Sequence, residues 1–199
     1  MSLKTKVKVG NITNLSDARY CAGMGVDMLG FTISEVDGQG IGTTKFKEIT
    51  DWISGPEFVL EIKDDPTNLS IEKYRTDLLE LPASRISFLS SSKQEKFIIS
   101  IDIADWPTYR EDLLVNRSQI NYLLLTNPAD IEISHVKRMV EEIALDFPIL
   151  LGVNIKFDLL GEYLSWPILG IALNGSEETS PGIKDYEHLS SILEKLEVD

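Results

Sequence analysis

Short apolar runs alternate with amphipathic stretches along the whole chain, and this alternation constrains the fold more than any other feature. Strands that alternate with helical segments are typical of repeated βα units around a parallel sheet. The pattern predicts eight strands, near Lys6–Val9, Met28–Phe31, Phe58–Ile62, Asp77–Leu81, Phe97–Ile101, Tyr122–Leu125, Ile149–Leu151 and Ile168–Leu173. Helical segments are predicted between them, at Ser16–Met24, Thr44–Ile53, Leu69–Tyr74, after Ser84, and at Tyr109–Leu114, Glu132–Leu145, Asp158–Leu164 and Tyr186–Leu196.

Eight strand–helix pairs in 199 residues lie at the lower size limit of a (β/α)₈ barrel. An apolar content of 43% is enough for one domain to bury a core, and no linker or low-complexity tract divides the chain. The expected fold is therefore a single, compact α/β TIM barrel over residues 1–199. Ser90–Lys93 and Trp106-Pro107 interrupt the fourth and fifth units, so the local pattern alone also allows a flavodoxin-like open sheet.

Charge and cysteine content limit the classes of partner and the compartment. A formal charge of −13 disfavours nucleic acid and anionic membranes, because affinity for polyanions depends on Lys and Arg. No apolar run approaches the roughly 18 residues that a membrane span needs. The single cysteine, Cys21, excludes an internal disulfide and favours a reducing cytoplasm. We interpret it as a small packed residue of the first helix.

Two segments at opposite ends of the chain resemble one enzyme family. Gly170–Asp185 reads G-I-A-L-N-G-S-E-E-T-S-P-G-I-K-D, and Lys8–Asn14 reads K-V-G-N-I-T-N. They are similar to G-V-D-V-S-S-G-V-E-T-S-P-G-V-K-D and K-I-C-G-I-T-N of phosphoribosylanthranilate isomerase, a barrel enzyme of tryptophan biosynthesis. The resemblance implies a barrel of the ribulose-phosphate-binding type, and it favours the closed barrel over the open sheet.

The resemblance also implies a phosphate site after the seventh and eighth strands. Ligands of such barrels bind where the strands end, and backbone N–H groups in glycine-rich loops favour an anion. The residues in this corner are Gly152, Asn154, Asn174, Gly175 and Ser176. We expect a phosphorylated small molecule of the ribose or ribulose phosphate type, although Val153 stands where the family has a second glycine.

The catalytic positions of the family are replaced in this chain. The family catalyses an Amadori rearrangement, in which an acid opens the sugar ring and a base removes the proton from C2. Gly10 stands where the family has its basic cysteine, Thr126 where it has its acidic aspartate, and Gln39 where an arginine pairs with the anthranilate carboxylate. Gly10, Thr126 and Asn174 each end or follow a strand and are expected at one mouth of the barrel. The active site is therefore predicted to be degenerate, with isomerase activity lost or strongly reduced.

Two alternatives stay open from the sequence. Glu80 and Asp102 lie at or just beyond strand ends, so they are candidates for acid–base residues of an active sugar-phosphate isomerase. The barrel is otherwise a non-catalytic one that binds a phosphate ligand or a protein partner, which the sequence does not identify. His135 and His188 are interpreted as structural residues of outer helices. No metal-binding pattern or cofactor motif is found, so neither a metal nor a cofactor is expected.

Overall fold

Eight parallel strands close into a barrel in the order of the sequence, with β8 paired to β1. A computed structural model describes residues 2–34, 40–63, 65–92, 96–126, 132–153, 155–175, 178–180, 183–184 and 187–198. The closed barrel confirms the predicted (β/α)₈ fold and excludes the open sheet. The strands are β1 (Lys6–Gly10), β2 (Met28–Ile33), β3 (Glu57–Ile62), β4 (Leu78–Pro82), β5 (Phe97–Asp102), β6 (Ile120–Thr126), β7 (Ile149–Leu151) and β8 (Gly170–Asn174).

The strands form because their apolar residues are buried on both faces. All six residues of β2 and the last four of β3 are buried, which is typical of a parallel sheet covered by helices. The core has two layers. The outer layer packs the strands against the helices, and the inner layer fills the lower part of the barrel with Met28, Val59, Leu78, Ile98, Leu124 and Leu150.

The α-helices lie around the barrel. They are α1 (Leu15–Gly23), α2 (Thr43–Thr50), α3 (Trp106–Val115), α4 (Ile133–Ile143), α5 (Leu160–Tyr163) and α6 (Glu187–Leu196). Asn14 begins α1, because its side-chain oxygen accepts a hydrogen bond of 2.9 Å from the backbone N–H of Asp17. Cys21 is fully buried in this helix, while His135 on α4 and His188 on α6 are exposed. Within the described residues, no helix is long and apolar enough to cross a membrane.

Three connections differ from the prediction. The helical segment predicted at Leu69–Tyr74 is not an α-helix, because it contains only a single turn of 3₁₀-helix, at Ile71–Lys73, and a second such turn precedes it at Pro66–Asn68. The segment after Ser84 is also 3₁₀-helical, over Ala83–Ser91. After β8, where a loop was expected to run into a helix, two short antiparallel strands occur instead, β9 (Glu178–Ser180) and β10 (Ile183–Lys184). Pro66, which has no backbone N–H, favours a short turn at the start of the first of these segments.

Candidate functional site at the mouth of the barrel

A polar cavity of about 470 Å³ opens where the barrel strands end. This volume lies within the range of small-molecule sites. Its lining is Lys8, Asn11, Glu61, Lys63, Glu80, Pro82, Ser100, Ile101, Asp102, Leu124, Thr126, Gly152, Ala172, Leu173, Asn174 and Gly175. A larger groove of about 670 Å³ lies outside the barrel, beside α2 and the segment before β4. We regard the mouth as the candidate site, because ligands of parallel barrels bind at the carboxyl ends of the strands.

A buried cluster of three charged side chains forms one wall of the cavity. Lys8 on β1 places its ammonium nitrogen 2.5 Å from Oε1 of Glu61 on β3 and 2.8 Å from Oε2 of Glu80 on β4. Lys8 and Glu61 are only 3% and 7% exposed. The three residues occupy neighbouring inward positions, since Glu61 pairs in register with Glu80. Each continues the period-two alternation of its strand above the apolar inner layer.

Glu61 is held by three donors and is the better-satisfied carboxylate. Its Oε1 accepts from Lys8, and its Oε2 accepts from the Thr32 hydroxyl at 2.9 Å and from the backbone N–H of Asn11 at 3.2 Å. Burial by itself raises the pKa of Glu61, but the charge of Lys8 and these hydrogen bonds outweigh it, so the pKa is lowered. Glu61 is therefore ionised at neutral pH.

Glu80 differs from Glu61 although both face the same lysine. Among the described residues its Oε2 atom accepts no hydrogen bond of good geometry, despite the 2.8 Å distance to Lys8. Burial raises the pKa of Glu80, the Lys8 charge opposes this, and the nearby charge of Glu61 adds to it, so the pKa is raised. For Lys8 itself, the two carboxylates outweigh burial and raise the pKa. Lys8 lowers the pKa of both carboxyl groups, so the difference between them comes from the hydrogen bonds of Thr32 and Asn11 to Glu61 and from the Glu61 charge beside Glu80.

Two glycines make room for the Glu61 carboxylate. A Cβ atom added to Gly10 would lie closer than 3.0 Å to Glu61 Oε1, and at 3.2 Å from Lys8 Nζ. A Cβ added to Gly30 would lie 2.7 Å from the carboxyl carbon of Glu61. Real Cβ contacts of this kind are essentially never below 3.0 Å. The carboxylate therefore occupies the space into which a side chain at position 10 would extend.

The predicted positions Gly10, Asn174, Asp102 and Thr126 fall at the same mouth. Gly10 pairs in register with Asn174, and Asp102 pairs with Thr126. The Thr126 hydroxyl donates to the backbone carbonyl of Ile101 at 3.2 Å. The Asp102 carboxylate accepts from the backbone N–H of Ala104 at 2.9 Å, so one of its oxygens caps the short helical turn that follows β5.

The phosphate corner is described only in part. Gly152, Asn174 and Gly175 line the cavity, whereas Asn154 and Ser176, like Gln39, lie outside the described residues. The N–H of Gly152 donates to the carbonyl of Leu125 at 2.8 Å, and the N–H of Gly175 donates to the carbonyl of Gly10 at 2.7 Å. These two N–H groups are therefore engaged within the barrel, while the Asn174 side chain is exposed at the rim.

Sequence reasoning missed Lys8 and Glu61 as site residues. Lys8 belongs to the motif near the N-terminus and Glu61 to a buried strand, and neither position by itself indicates a site. The signal that could have found them was a charged residue at an inward position of an apolar strand, as in Val7-Lys8-Val9 and Leu60-Glu61-Ile62. No group of three or more His, Cys, Asp or Glu side chains within the described residues is arranged to hold a metal ion.

Comparison with solved structures identifies the architecture. Phosphoribosylanthranilate isomerase from Thermotoga maritima superposes with a TM-score of 0.74 at 14% identity, and that from Thermus thermophilus with 0.72 at 19%. In both cases 96% of this chain and 98% of the other are covered. The chain shares its fold with phosphoribosylanthranilate isomerase. This structural resemblance, predicted from two sequence segments, extends over nearly the whole chain.

Two further structures extend the comparison. A phosphoribosylanthranilate isomerase in complex with reduced 1-(o-carboxyphenylamino)-1-deoxyribulose 5-phosphate has a TM-score of 0.72 at 16% identity, over 96% of this chain and 97% of that one. KGPDC from Streptococcus mutans has 0.59 at 13%, over 87% and 88%. No family model and no curated protein sequence matches the chain. At these identities the likeness shows the fold, and function has to be argued from the site.

Proposed function

We propose that this barrel binds a phosphorylated, hydroxylated small molecule at its mouth and does not catalyse the phosphoribosylanthranilate isomerase reaction at a normal rate. The observation that carries the proposal is the position of the Glu61 carboxylate. It fills the space that a cysteine side chain at position 10 would need, and Lys8, Thr32 and Asn11 hold it there.

The two proton-transfer groups of that reaction have no equivalent at their positions. Gly10 carries no titratable group, and the Thr126 hydroxyl, which donates to Ile101, is a far weaker acid than a carboxyl group. Loss of one such group typically costs about 10²- to 10⁴-fold in rate. The lowered pKa of Glu61 also makes it a poor replacement base. Loss of both groups supports an isomerase activity that is absent or very weak.

The charge of the cavity wall also disfavours an aromatic carboxylate as ligand. Among the described lining residues the cations are Lys8 and Lys63, and the acidic residues are Glu61, Glu80 and Asp102. Lys8 is already paired with two carboxylates, so it offers little net positive charge to a third. The amide, hydroxyl and carboxylate groups of the wall suit a ligand rich in hydroxyl groups.

The phosphate end of the ligand is proposed to lie in the corner of Gly152, Asn154, Asn174, Gly175 and Ser176. One isomerase with this fold has been solved with a ribulose 5-phosphate derivative, which supports a phosphorylated ligand here by analogy. The N–H groups of Gly152 and Gly175 already donate hydrogen bonds within the barrel. The side chain of Asn174 and the loop residues after it are therefore the expected donors to the phosphate. Binding is expected to be modest, since the net charge of −13 provides no long-range attraction.

Turnover and binding are tested separately. Purified protein is assayed with phosphoribosylanthranilate, and the gene is tested for complementation of a tryptophan auxotroph that lacks the isomerase. We expect neither turnover nor growth, and growth at a normal rate would contradict the proposal. Binding is measured by calorimetry and amide chemical shifts with ribulose 5-phosphate, using Gly175→Asp as the variant expected to bind less.

The binding result also separates the remaining alternative. A saturable response that Gly175→Asp weakens would support a ligand site in the predicted corner. No saturable response at millimolar concentration would contradict the ligand site and favour a barrel that binds a protein partner.

A further inference from the structure

We infer that Glu80 is the proton-transferring group of the cavity, that Lys8 orients it and polarises a substrate oxygen, and that Glu61 fixes Lys8. The reaction assigned to this cluster is a proton shift between the two carbons of an α-hydroxycarbonyl group in an aldose or ketose phosphate. The inference rests on the proposed function, because the phosphate corner would hold the other end of that substrate.

The geometry brings the required groups together at one point. Lys8, Glu61 and Glu80 come from β1, β3 and β4, and both carboxylates are within 2.8 Å of the same ammonium nitrogen. The Glu80 side chain is 14% exposed and lines the cavity, so it is shielded from bulk water but accessible to a ligand. A Cβ added to Gly10 would lie 3.2 Å from Lys8 Nζ and 3.3 Å from Asn174 Oδ1, which places the ammonium group close to the rim.

The charge balance favours Glu80 as the group that changes protonation. One buried cation with two buried carboxylates has a net charge of −1 when all three are ionised, and burial makes this state costly. Protonation of one carboxyl group makes the cluster neutral and removes this cost. Glu61 accepts three hydrogen bonds, so it keeps its charge, whereas Glu80 Oε2 accepts none of good geometry among the described residues and takes the proton. Two carboxyl groups whose environments separate their pKa values are typical of acid–base sites.

The proposed reaction follows from an ammonium group, on Lys8, beside a carboxyl group that changes protonation, on Glu80. Lys8 has three N–H donors and donates one to Glu61, so that even with a second N–H directed at Glu80 one remains for the carbonyl oxygen of a substrate. The Glu80 carboxylate removes the proton from the carbon next to the carbonyl. The C–H electron pair then forms the carbon–carbon double bond of an enediolate, and the carbonyl pair moves to the oxygen that faces Lys8, so that this oxygen carries the negative charge.

The return step completes the isomerisation without a further reagent. Glu80 gives its proton to the former carbonyl carbon, and the electron pair of the carbon–carbon double bond forms the new C–H bond. The hydroxyl proton of the neighbouring carbon passes to the former carbonyl oxygen, and the electron pair of that O–H bond forms the new carbonyl. Atoms and electrons balance within the substrate and Glu80. Asp102 is less suited to this role, because it lies at the end of β5 and one of its oxygens accepts a hydrogen bond from the backbone N–H of Ala104 in the helical turn that follows.

The test measures proton exchange at carbon, which does not depend on knowing the product. Ribulose 5-phosphate, xylulose 5-phosphate and ribose 5-phosphate are incubated with the protein in D₂O, and deuterium incorporation next to the carbonyl is followed by NMR. We expect incorporation with at least one of these probes. Glu80→Gln should lower the rate about 10²- to 10⁴-fold and change the dissociation constant only a few-fold.

Two variants and a pH profile distinguish proton transfer from a structural role. Glu57→Gln is the matched control, because Glu57 begins β3 at the opposite end of the barrel, is 39% exposed and pairs with Lys96 at 3.7 Å. The Glu57→Gln variant should incorporate deuterium into the substrate at the wild-type rate. Glu80→Asp keeps a carboxylate one methylene shorter and should retain more activity than Glu80→Gln.

The wild-type exchange rate should rise with pH as Glu80 loses its proton, since the carboxylate is the base. The charged groups that face Glu80 are Lys8 on β1, and Glu61 and Lys63 at the end of β3, with Asp102 on β5 lining the same cavity. Glu80→Asp and the wild-type pH profile keep the inference testable if Glu80→Gln fails to fold.

The outcomes separate this inference from the proposed function. Binding without deuterium incorporation by the wild type would overturn the inference and leave the ligand site intact. Incorporation that Glu80→Gln does not slow would assign the proton transfer to another group and also overturn it. Absence of binding by all three sugar phosphates would overturn the proposed function and this inference together.

Discussion

Substitution of Gly10 by cysteine introduces the residue that stands at the corresponding position of the similar motif K-I-C-G-I-T-N, and we predict that it destabilises this protein. The new Cβ would lie closer than 3.0 Å to Glu61 Oε1 and 3.2 Å from Lys8 Nζ. A free side chain end could swing away from such a contact at little cost. The Glu61 carboxylate is not free, because Lys8, Thr32 and the backbone of Asn11 donate to it.

The expected loss of unfolding free energy caused by Gly10→Cys lies between two limits. Overpacking of a well-packed interior costs about 1–3 kcal/mol, and breaking a buried ion pair costs about 3–5 kcal/mol. Displacing Glu61 weakens its bond to Lys8, but Glu80 at 2.8 Å continues to balance the lysine charge. The full cost of an unpaired buried charge is therefore avoided, and a free energy of unfolding lowered by about 2–3 kcal/mol is expected.

A double-mutant cycle measured by urea unfolding tests this reasoning. In a Glu61→Ala background the space beside position 10 is empty, so Gly10→Cys should cost less than about 1 kcal/mol, and the coupling energy should be about 2 kcal/mol. Gly23→Cys is the control, because a Cβ there meets nothing within 4 Å, and it should change stability by about 0.5 kcal/mol or less. Equal costs of Gly10→Cys in both backgrounds would refute the argument that Glu61 fills this space.

Three further predictions concern the same cluster. Gly10→Cys combined with Thr126→Asp should produce phosphoribosylanthranilate turnover only when Glu61→Ala is added, as measured by comparing the double and triple variants. Turnover by the double variant alone would contradict the steric argument. Lys8→Met leaves two buried carboxylates without their cation, so urea unfolding should show a loss of about 3–5 kcal/mol, and a change below about 1 kcal/mol would exclude a buried ion cluster. Burial raises the pKa of Glu80 above its ordinary value of 4.5, so the stability that this group contributes is present at low pH and is lost as the pH rises through its folded pKa. The unfolding free energy of Glu80→Gln relative to wild type should therefore increase with pH over this window. A constant difference would contradict the raised pKa.

The fold was predictable because its physical cause repeats along the sequence. Each barrel strand contains a run of buried apolar residues, and Ile149–Leu151 was predicted with the bounds that the structure has. The other strands differ by one or two residues at their ends. Pairing continues beyond the apolar run at Gly10 and Asp102, whereas β4 and β8 begin later than predicted, at Leu78 and Gly170. Short 3₁₀ segments were mistaken for α-helix at Leu69–Tyr74, because three residues per turn bury nearly the same spacing of apolar residues.

The candidate site was only partly predictable. Glu80 was identified because it stands near the end of a predicted strand, a position that local sequence indicates. Glu61 was not identified, since its place in the site depends on contacts with Lys8, 53 residues earlier in the sequence, and with Thr32, 29 residues earlier. Such contacts depend on strand register around the barrel, which places Lys8 opposite Met28 and Glu61 opposite Thr32 and Glu80. A pattern of apolar runs predicts the strands but does not specify their mutual register.

The glycine at position 10 is best understood together with the groups around it. If the family's cysteine were simply missing, the mouth would contain a void of about one side chain at that point. Instead, two glycines from adjacent strands, Gly10 and Gly30, leave a space that the Glu61 carboxylate fills, and three donors from β1, β2 and the segment after β1 hold it. Either glycine with a side chain would displace this carboxylate, and Lys8 would then lose its shorter contact. The absence of a side chain at position 10 and the presence of a buried carboxylate–ammonium cluster are thus two consequences of one packing arrangement, in which the mouth is organised around Lys8.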